Sequence, residues 1–119
     1  MNESLLLIAH GSRREASNDE VRELTVRLRS AAADRFHEVD CAFLELAEPS
    51  IPDGIQRLID GGAQAVTVLP YFLAAGRHVI QDVPALVAEK RADHPEVDIR
   101  IAPYLGTSDE IPRLLLSLV

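Results

Sequence analysis

The feature that most narrows the fold is a change of hydrophobic period that recurs four times along the chain. Leu5-Leu6-Leu7-Ile8-Ala9 is apolar without interruption, the pattern of a strand buried on both faces. Ser17-Asn18-Asp19-Glu20 has the spacing of a helix capping box, and Val21, Leu24, Leu28 and Ala31 then recur on one helical face as far as about Ala33. Residues 39–44 alternate in part, as a second strand. Ser50 can cap a helix carrying Ile51, Ile55, Leu58 and Ile59, closed by Gly61-Gly62. Residues 65–69 form a third, mostly apolar strand. A helix is expected over much of residues 79–92, with Pro84 opening its regular part and Asp82 or Val83 in the cap region. Residues 97–101 alternate strictly, and Thr107-x-x-Glu110 predicts a last capped helix with Ile111, Leu114, Leu115 and Leu118 turned inward.

Four strand-helix units in succession specify an α/β fold, a parallel sheet with helices on both faces. Strands one and three, apolar on both faces, belong at the centre; strands two and four, which alternate, belong at the edges. Right-handed crossovers then favour the order 2-1-3-4, with the chain reversing direction between strands one and three. Open α/β sheets bind ligands in the crevice beside the carboxyl ends of such a pair, and His10 stands there. The 119 residues are predicted to form one domain spanning 1–119.

Composition removes several function classes. A hydrophobic content of 47% with 26% charged residues is that of an ordinary globular chain. The formal charge of −7 leaves no basic stripe for nucleic acid, so an anionic ligand must be met by local cations. The single cysteine, Cys41, excludes an internal disulfide framework and reads as a small core residue in a reducing compartment. No basic region precedes the first apolar run, which argues against a signal peptide. The longest nearly apolar stretch, residues 65–75, is well short of the roughly 20 residues of a membrane helix. A cytoplasmic protein without membrane contact is the expectation.

Topology places the remaining candidates. Pro70 to Pro84, "PYFLAAGRHVIQDVP", follows strand three and carries Gly76, Arg77 and His78. Adjacent strands are about 4.8 Å apart, so His10 and His78 can meet at one spot. "LELAEPS" after strand two puts Glu45 on the same rim, with Glu48 as its rival. Two imidazoles and a carboxylate suit a borderline metal such as Fe, Co, Ni or Zn. Arg13, Arg14 and Arg77 around such a crevice suit an anion. His37 and His94 precede strands two and four, at the opposite end of the sheet. Asp82 reads as a helix cap, and Tyr71, Phe72 and Tyr104 as wall residues. Neither a Walker loop nor a dinucleotide fingerprint is present, and the Arg that precedes the His-Gly pair of histidine phosphatases is replaced by Ala9.

"HGSRREASN", "FLELAEPSI", "LPYFLAAGRHVIQDVPALVAE" and "IAPYLG", in this order along nearly the whole chain, resemble the short class II tetrapyrrole chelatases, which insert iron, cobalt or nickel into sirohydrochlorin. The resemblance implies a flavodoxin-like fold, with His10 and His78 in metal binding and proton removal and Glu45 at the position of an acidic ligand. Its motif forms favour Fe(II) over Co(II) or Ni(II). The metal would be a substrate, with no permanently bound cofactor. The carboxylate-rich macrocycle would be met by Ser12, Arg13, Arg14 and Arg77. Longer relatives place two such domains around a cleft, so a homodimer is expected. A noncatalytic metal or tetrapyrrole carrier is the alternative, and a histidine phosphatase a distant third.

Overall fold

A computed structural model describes residues 2–119, the side chain of His78 excepted. Strands β1 (Glu3–Ala9), β2 (Glu38–Phe43), β3 (Ala65–Pro70) and β4 (Asp98–Ile101) form one parallel sheet in the order β2-β1-β3-β4. This is the predicted order. Its cause is visible in β1, where Leu5, Leu6, Leu7, Ile8 and Ala9 are all buried because both strand neighbours and both faces are occupied. Leu7 pairs with Cys41 on one side and Leu69 on the other.

Helix α1 (Glu15–Ala32) lies on one face, and α2 (Ile51–Asp60) and α3 (Arg77–Asp93) on the other. Leu6, Ile8, Ala42, Val66, Val68 and Ile99 meet Ile51, Ile55, Leu58, Val83 and Val87 in the larger core. Leu7, Ala9, Cys41 and Phe43 meet Val21, Leu24 and Leu28 of α1 in the smaller one. Cys41 is a buried free thiol, as its lone occurrence suggested. Ser50 caps α2 as expected, its hydroxyl accepting from the Asp53 N–H at 3.2 Å, and Gly61 closes the helix.

Several local expectations are overturned. The first turn of α1 starts at Glu15, ahead of the Ser17 capping box, because Asn18 is used to fasten the preceding loop. Ala31, expected on its buried face, is exposed. Helix α3 starts at Arg77, so Pro84 lies inside it and Asp82 is a helical residue and not a cap. The helix tolerates the lost N–H because Val83 and Val87 on either side are driven into the core. The last helix, α4 (Ile111–Leu116), is only six residues long. Leu114, Leu115 and Leu118, expected inward, are 55%, 61% and 81% exposed. A short 3-10 turn, Leu105–Thr107, precedes it. No helix among the described residues is long and apolar enough to cross a membrane.

Candidate functional site

The β1–β2 ladder does not stop where the strands formally end. Leu44 N–H donates to the Ala9 carbonyl at 2.9 Å and Glu45 N–H to the His10 carbonyl at 3.1 Å. Main-chain pairing therefore carries His10 and Glu45 side by side past the carboxyl rim. The strand period of two continues as well: Leu6 and Ile8 point to the α2–α3 face, and His10 comes next on that side. There His10, Leu44 and Glu45 form one wall of a crevice of about 530 Å³, with Asp82, Ala85 and Leu86 of α3 on the other.

Gly11 makes the close approach feasible. Its φ is +94°, and a Cβ built on it would lie 1.7 Å from the Glu45 carbonyl oxygen, so any side chain would wedge the two strand ends apart. The next residues are held by Asn18, which is buried. Its Oδ1 accepts from the Ser12 N–H at 2.9 Å and its Nδ2 donates to the Ser12 carbonyl at 2.8 Å. The Ser12 hydroxyl in turn accepts from the Arg14 N–H at 3.0 Å. Asn18 was readable in the sequence only as part of a cap; its real task is to satisfy both main-chain groups of Ser12 from within α1. Arg22 adds a brace across the same corner. It donates to Glu15, to Asp19 at 2.9 Å and to the Glu48 carbonyl at 3.3 Å, and stacks over the Phe43 ring at 5.2 Å. That guanidinium, with a smaller contribution from Asn18, holds the Glu15 carboxyl below its ordinary pKa.

His10 Nδ1 and Glu45 Oε1 are 3.7 Å apart, both side chains more than half exposed. Donors about 2.0–2.2 Å from a common ion are at most roughly 4.2 Å apart, so the pair admits one ion by distance. A carboxylate oxygen and an imidazole nitrogen are also the donor set a divalent transition metal accepts and releases most readily when positions stay open. Among the described residues no three His, Cys, Asp or Glu side chains gather into a fuller cage.

Of the predicted site residues, His10 and Glu45 come together and Glu48 does not line the crevice. His78 is the second residue of α3, one helical turn before Asp82; its side chain lies outside the described residues. Arg13 and Arg14 in the loop after His10, and Arg77 at the start of α3, are exposed and join none of the ion pairs among the described residues. None of the three lines the crevice, nor does Ser12. Asp82, read from sequence as a cap, is instead part of the wall. Only the i, i+4 spacing from His78 could have marked it. His94 lies at the other end of the sheet, as its place before strand four predicts, with its Nε2 2.9 Å from Gln56 Oε1.

The sequence model of the CbiX family matches residues 4–119. A sirohydrochlorin cobaltochelatase of Methanococcus maripaludis is 36% identical over 76% of this chain and 62% of its own length. The chloroplastic sirohydrochlorin ferrochelatase of Arabidopsis thaliana is 34% identical over 87% of this chain and 45% of its own. Among solved structures, the sirohydrochlorin chelatase SirB from Bacillus subtilis subspecies spizizenii, in complex with cobalt, has a TM-score of 0.87 and 24% identity over 98% of this chain and 49% of its own. The last comparison bears on the fold, and it places the sheet and helices described above within one half of a longer molecule. The chain thus spans between about half and two thirds of the length of these relatives. With a family match from Ser4 to the last residue, this chain belongs to the CbiX family.

Proposed function

We propose that this chain is a sirohydrochlorin chelatase that inserts a divalent metal, Fe(II) in preference to Co(II) or Ni(II), into the tetrapyrrole. The observation that carries the reading is the His10–Glu45 pair at 3.7 Å, open to solvent on the wall of a 530 Å³ crevice. Relatives named as cobalto- and ferrochelatases of sirohydrochlorin support it. Metal and macrocycle are both substrates, with no resident cofactor.

Insertion exchanges two pyrrole N–H protons for one dication, so the ring's nitrogens gain a metal as two protons leave. His10 and Glu45 hold the ion beside the ring on its way in. As the ion moves to the ring nitrogens, the imidazole that it leaves regains a lone pair and can accept a departing proton. His78, at the start of α3 across the crevice, is assigned as the second imidazole. An incomplete ligand set favours this traffic, since a closed cage would retain the ion. The exposed Arg13, Arg14 and Arg77, with Ser12, meet the carboxylates at the ring periphery. Against a net charge of −7, these cations are what makes a polyanionic ligand acceptable. Two copies of the chain assemble, supplying between them the two units that longer relatives carry in one chain.

The test is an anaerobic time course of sirohydrochlorin with Fe(II), Co(II) or Ni(II), corrected for spontaneous insertion. Many turnovers per chain are expected, reduced at least tenfold by His10→Ala without loss of the folded circular dichroism spectrum. A stoichiometric single binding event with no turnover, for every metal, would replace the chelatase by a carrier.

A further inference from the structure

Leu46 is held in a conformation that disfavours leucine. Its φ is +65°, in the left-handed region that Gly, and less often Asn or Asp, adopts without a steric penalty. The conformation itself serves the chain. Glu45 lines the crevice on the α2–α3 side of the sheet, whereas Ala47 packs with Cys41 and Phe43 on the α1 side. The backbone therefore crosses the carboxyl edge of the sheet at Leu46. It returns to the strand where the Phe43 N–H donates to the Pro49 carbonyl at 2.9 Å. A crossing of this kind requires the left-handed backbone and no side chain on it, so glycine would satisfy it.

Burial does not offset the penalty, because Leu46 is 55% exposed. Other large apolar side chains are exposed at the same end of the sheet: Tyr71 and Leu73 follow β3, and Ile80 stands in the first turn of α3. The Tyr71 N–H donates to the Ile8 carbonyl at 2.8 Å, which ties this second group to the strand that delivers His10. Arg13, Arg14 and Arg77 are exposed on that rim as well. Apolar and guanidinium groups together on one rim match a ligand that is flat and apolar at its centre and anionic at its edge, as a carboxylate-bearing macrocycle is.

A backbone outlier with no local compensation points to function. We propose that Leu46 is a specificity-determining contact for the tetrapyrrole: its side chain meets the apolar face of the macrocycle beside the ion held by His10 and Glu45, and the left-handed crossing presents it there. The inference rests on the chelatase reading above and adds a residue which that reading does not use. Stability and affinity then move in opposite directions on substitution. A merely structural leucine cannot produce that result, since loss of a structural contact lowers stability.

The experiment compares Leu46→Asn, Leu46→Gly and Leu46→Met with unsubstituted protein in urea unfolding, in metal-free titration with sirohydrochlorin by absorbance, and in Co(II) titration by calorimetry. Leu46→Asn suits the left-handed backbone and is expected to raise the urea midpoint by about 0.5 M. Leu46→Asn and Leu46→Gly are both expected to bind sirohydrochlorin about tenfold more weakly, the loss that follows when the exposed half of a leucine side chain is no longer there to be covered. Their Co(II) affinity should not change. Leu46→Met, apolar and equally strained, is expected to recover most of the sirohydrochlorin affinity and none of the stability. A less stable Leu46→Asn, or unchanged sirohydrochlorin affinity in both the Asn and the Gly variants, would overturn the inference. Weaker self-association in sedimentation with unchanged sirohydrochlorin affinity would also overturn it, by assigning Leu46 to a contact between copies. Unsubstituted protein that binds no sirohydrochlorin would remove the chelatase reading together with this one.

Discussion

Gly11→Ala is the sharpest perturbation of the site, because its cost can be worked out from the backbone alone. At φ +94° an L side chain is forced into a left-handed conformation, which costs about 1–2 kcal/mol. The added Cβ would also lie 1.7 Å from the Glu45 oxygen and 2.9 Å from its carbonyl carbon. Neither is a side-chain atom that can rotate away. The strand ends must part by roughly 2 Å to reach ordinary contact distance, which breaks the hydrogen bond from Glu45 N–H to the His10 carbonyl, worth about 0.5–1.5 kcal/mol net. The loss of stability is therefore about 1.5–3.5 kcal/mol. The same movement separates His10 from Glu45, and a displacement of this size at reacting groups costs on the order of a hundredfold in rate. Gly62→Ala is the matched control. It has φ +102°, lies beyond the amino end of the sheet and has only the Asn2 Nδ2 at 3.4 Å as neighbour. It should lose stability through conformation alone and keep its rate. Urea unfolding measures the first quantity, and corrected metal insertion the second. If Gly11→Ala is no less stable than Gly62→Ala and inserts metal within threefold of the unsubstituted protein, the claim that this close approach sets the site is wrong.

Other positions separate support from chemistry. Asn18→Leu keeps the volume but strands the half-buried N–H and C=O of Ser12 and leaves a buried apolar side chain in their place, so about 1–2 kcal/mol should be lost in urea titration, with Asn18→Asp intermediate because it retains the acceptor. Arg77→Ala, at an exposed helix start, should raise KM for the tetrapyrrole with kcat nearly unchanged and Tm within a degree or so; a fall in kcat alone would move Arg77 out of the binding role. Glu15 has its carboxyl pKa lowered by Arg22 in the folded chain, so its contribution is present above the ordinary carboxylate range and lost as pH falls through the lowered value. Unsubstituted protein and Glu15→Gln should accordingly differ in unfolding midpoint at neutral pH and converge in acid; curves that stay parallel down to low pH would contradict this.

The order of the strands was legible because burial on two faces leaves a signature that burial on one does not. Leu5 to Ala9 has no polar position at which to meet water, and Asp98-Ile99-Arg100-Ile101 has two, of which Asp98 and Arg100 are exposed. From that contrast and the handedness of crossovers, His10 and Glu45 followed to one rim. Helix limits were less legible. Asn18 has the chemistry of a cap, and only the tertiary structure decides whether its amide serves the helix or the loop before it. Pro84 was read as a helix start because its ring fits there best; burial of Val83 and Val87 outweighs one missing hydrogen bond. The last leucines have a helical period, and a period marks an apolar face without saying which surface covers it. Asp82 was misread for the same reason as Pro84, since a helix beginning at Arg77 turns a cap position into a wall position.

The two hydrogen bonds that prolong the β1–β2 ladder, Leu44 to Ala9 and Glu45 to His10, run from main chain to main chain and read no side chain at all. The placement of His10 and Glu45 by these bonds is therefore indifferent to the side chain at Leu44. Substitution at Leu44, which lines the crevice, can change its size and polarity while the histidine and the carboxylate keep their places. A deletion or insertion of one residue between Phe43 and Glu45 has the opposite character, because it takes the Glu45 N–H out of register with the His10 carbonyl and the carboxylate away from the imidazole. Lineages of this fold should thus drift freely by substitution along this segment and tolerate almost no change in its length.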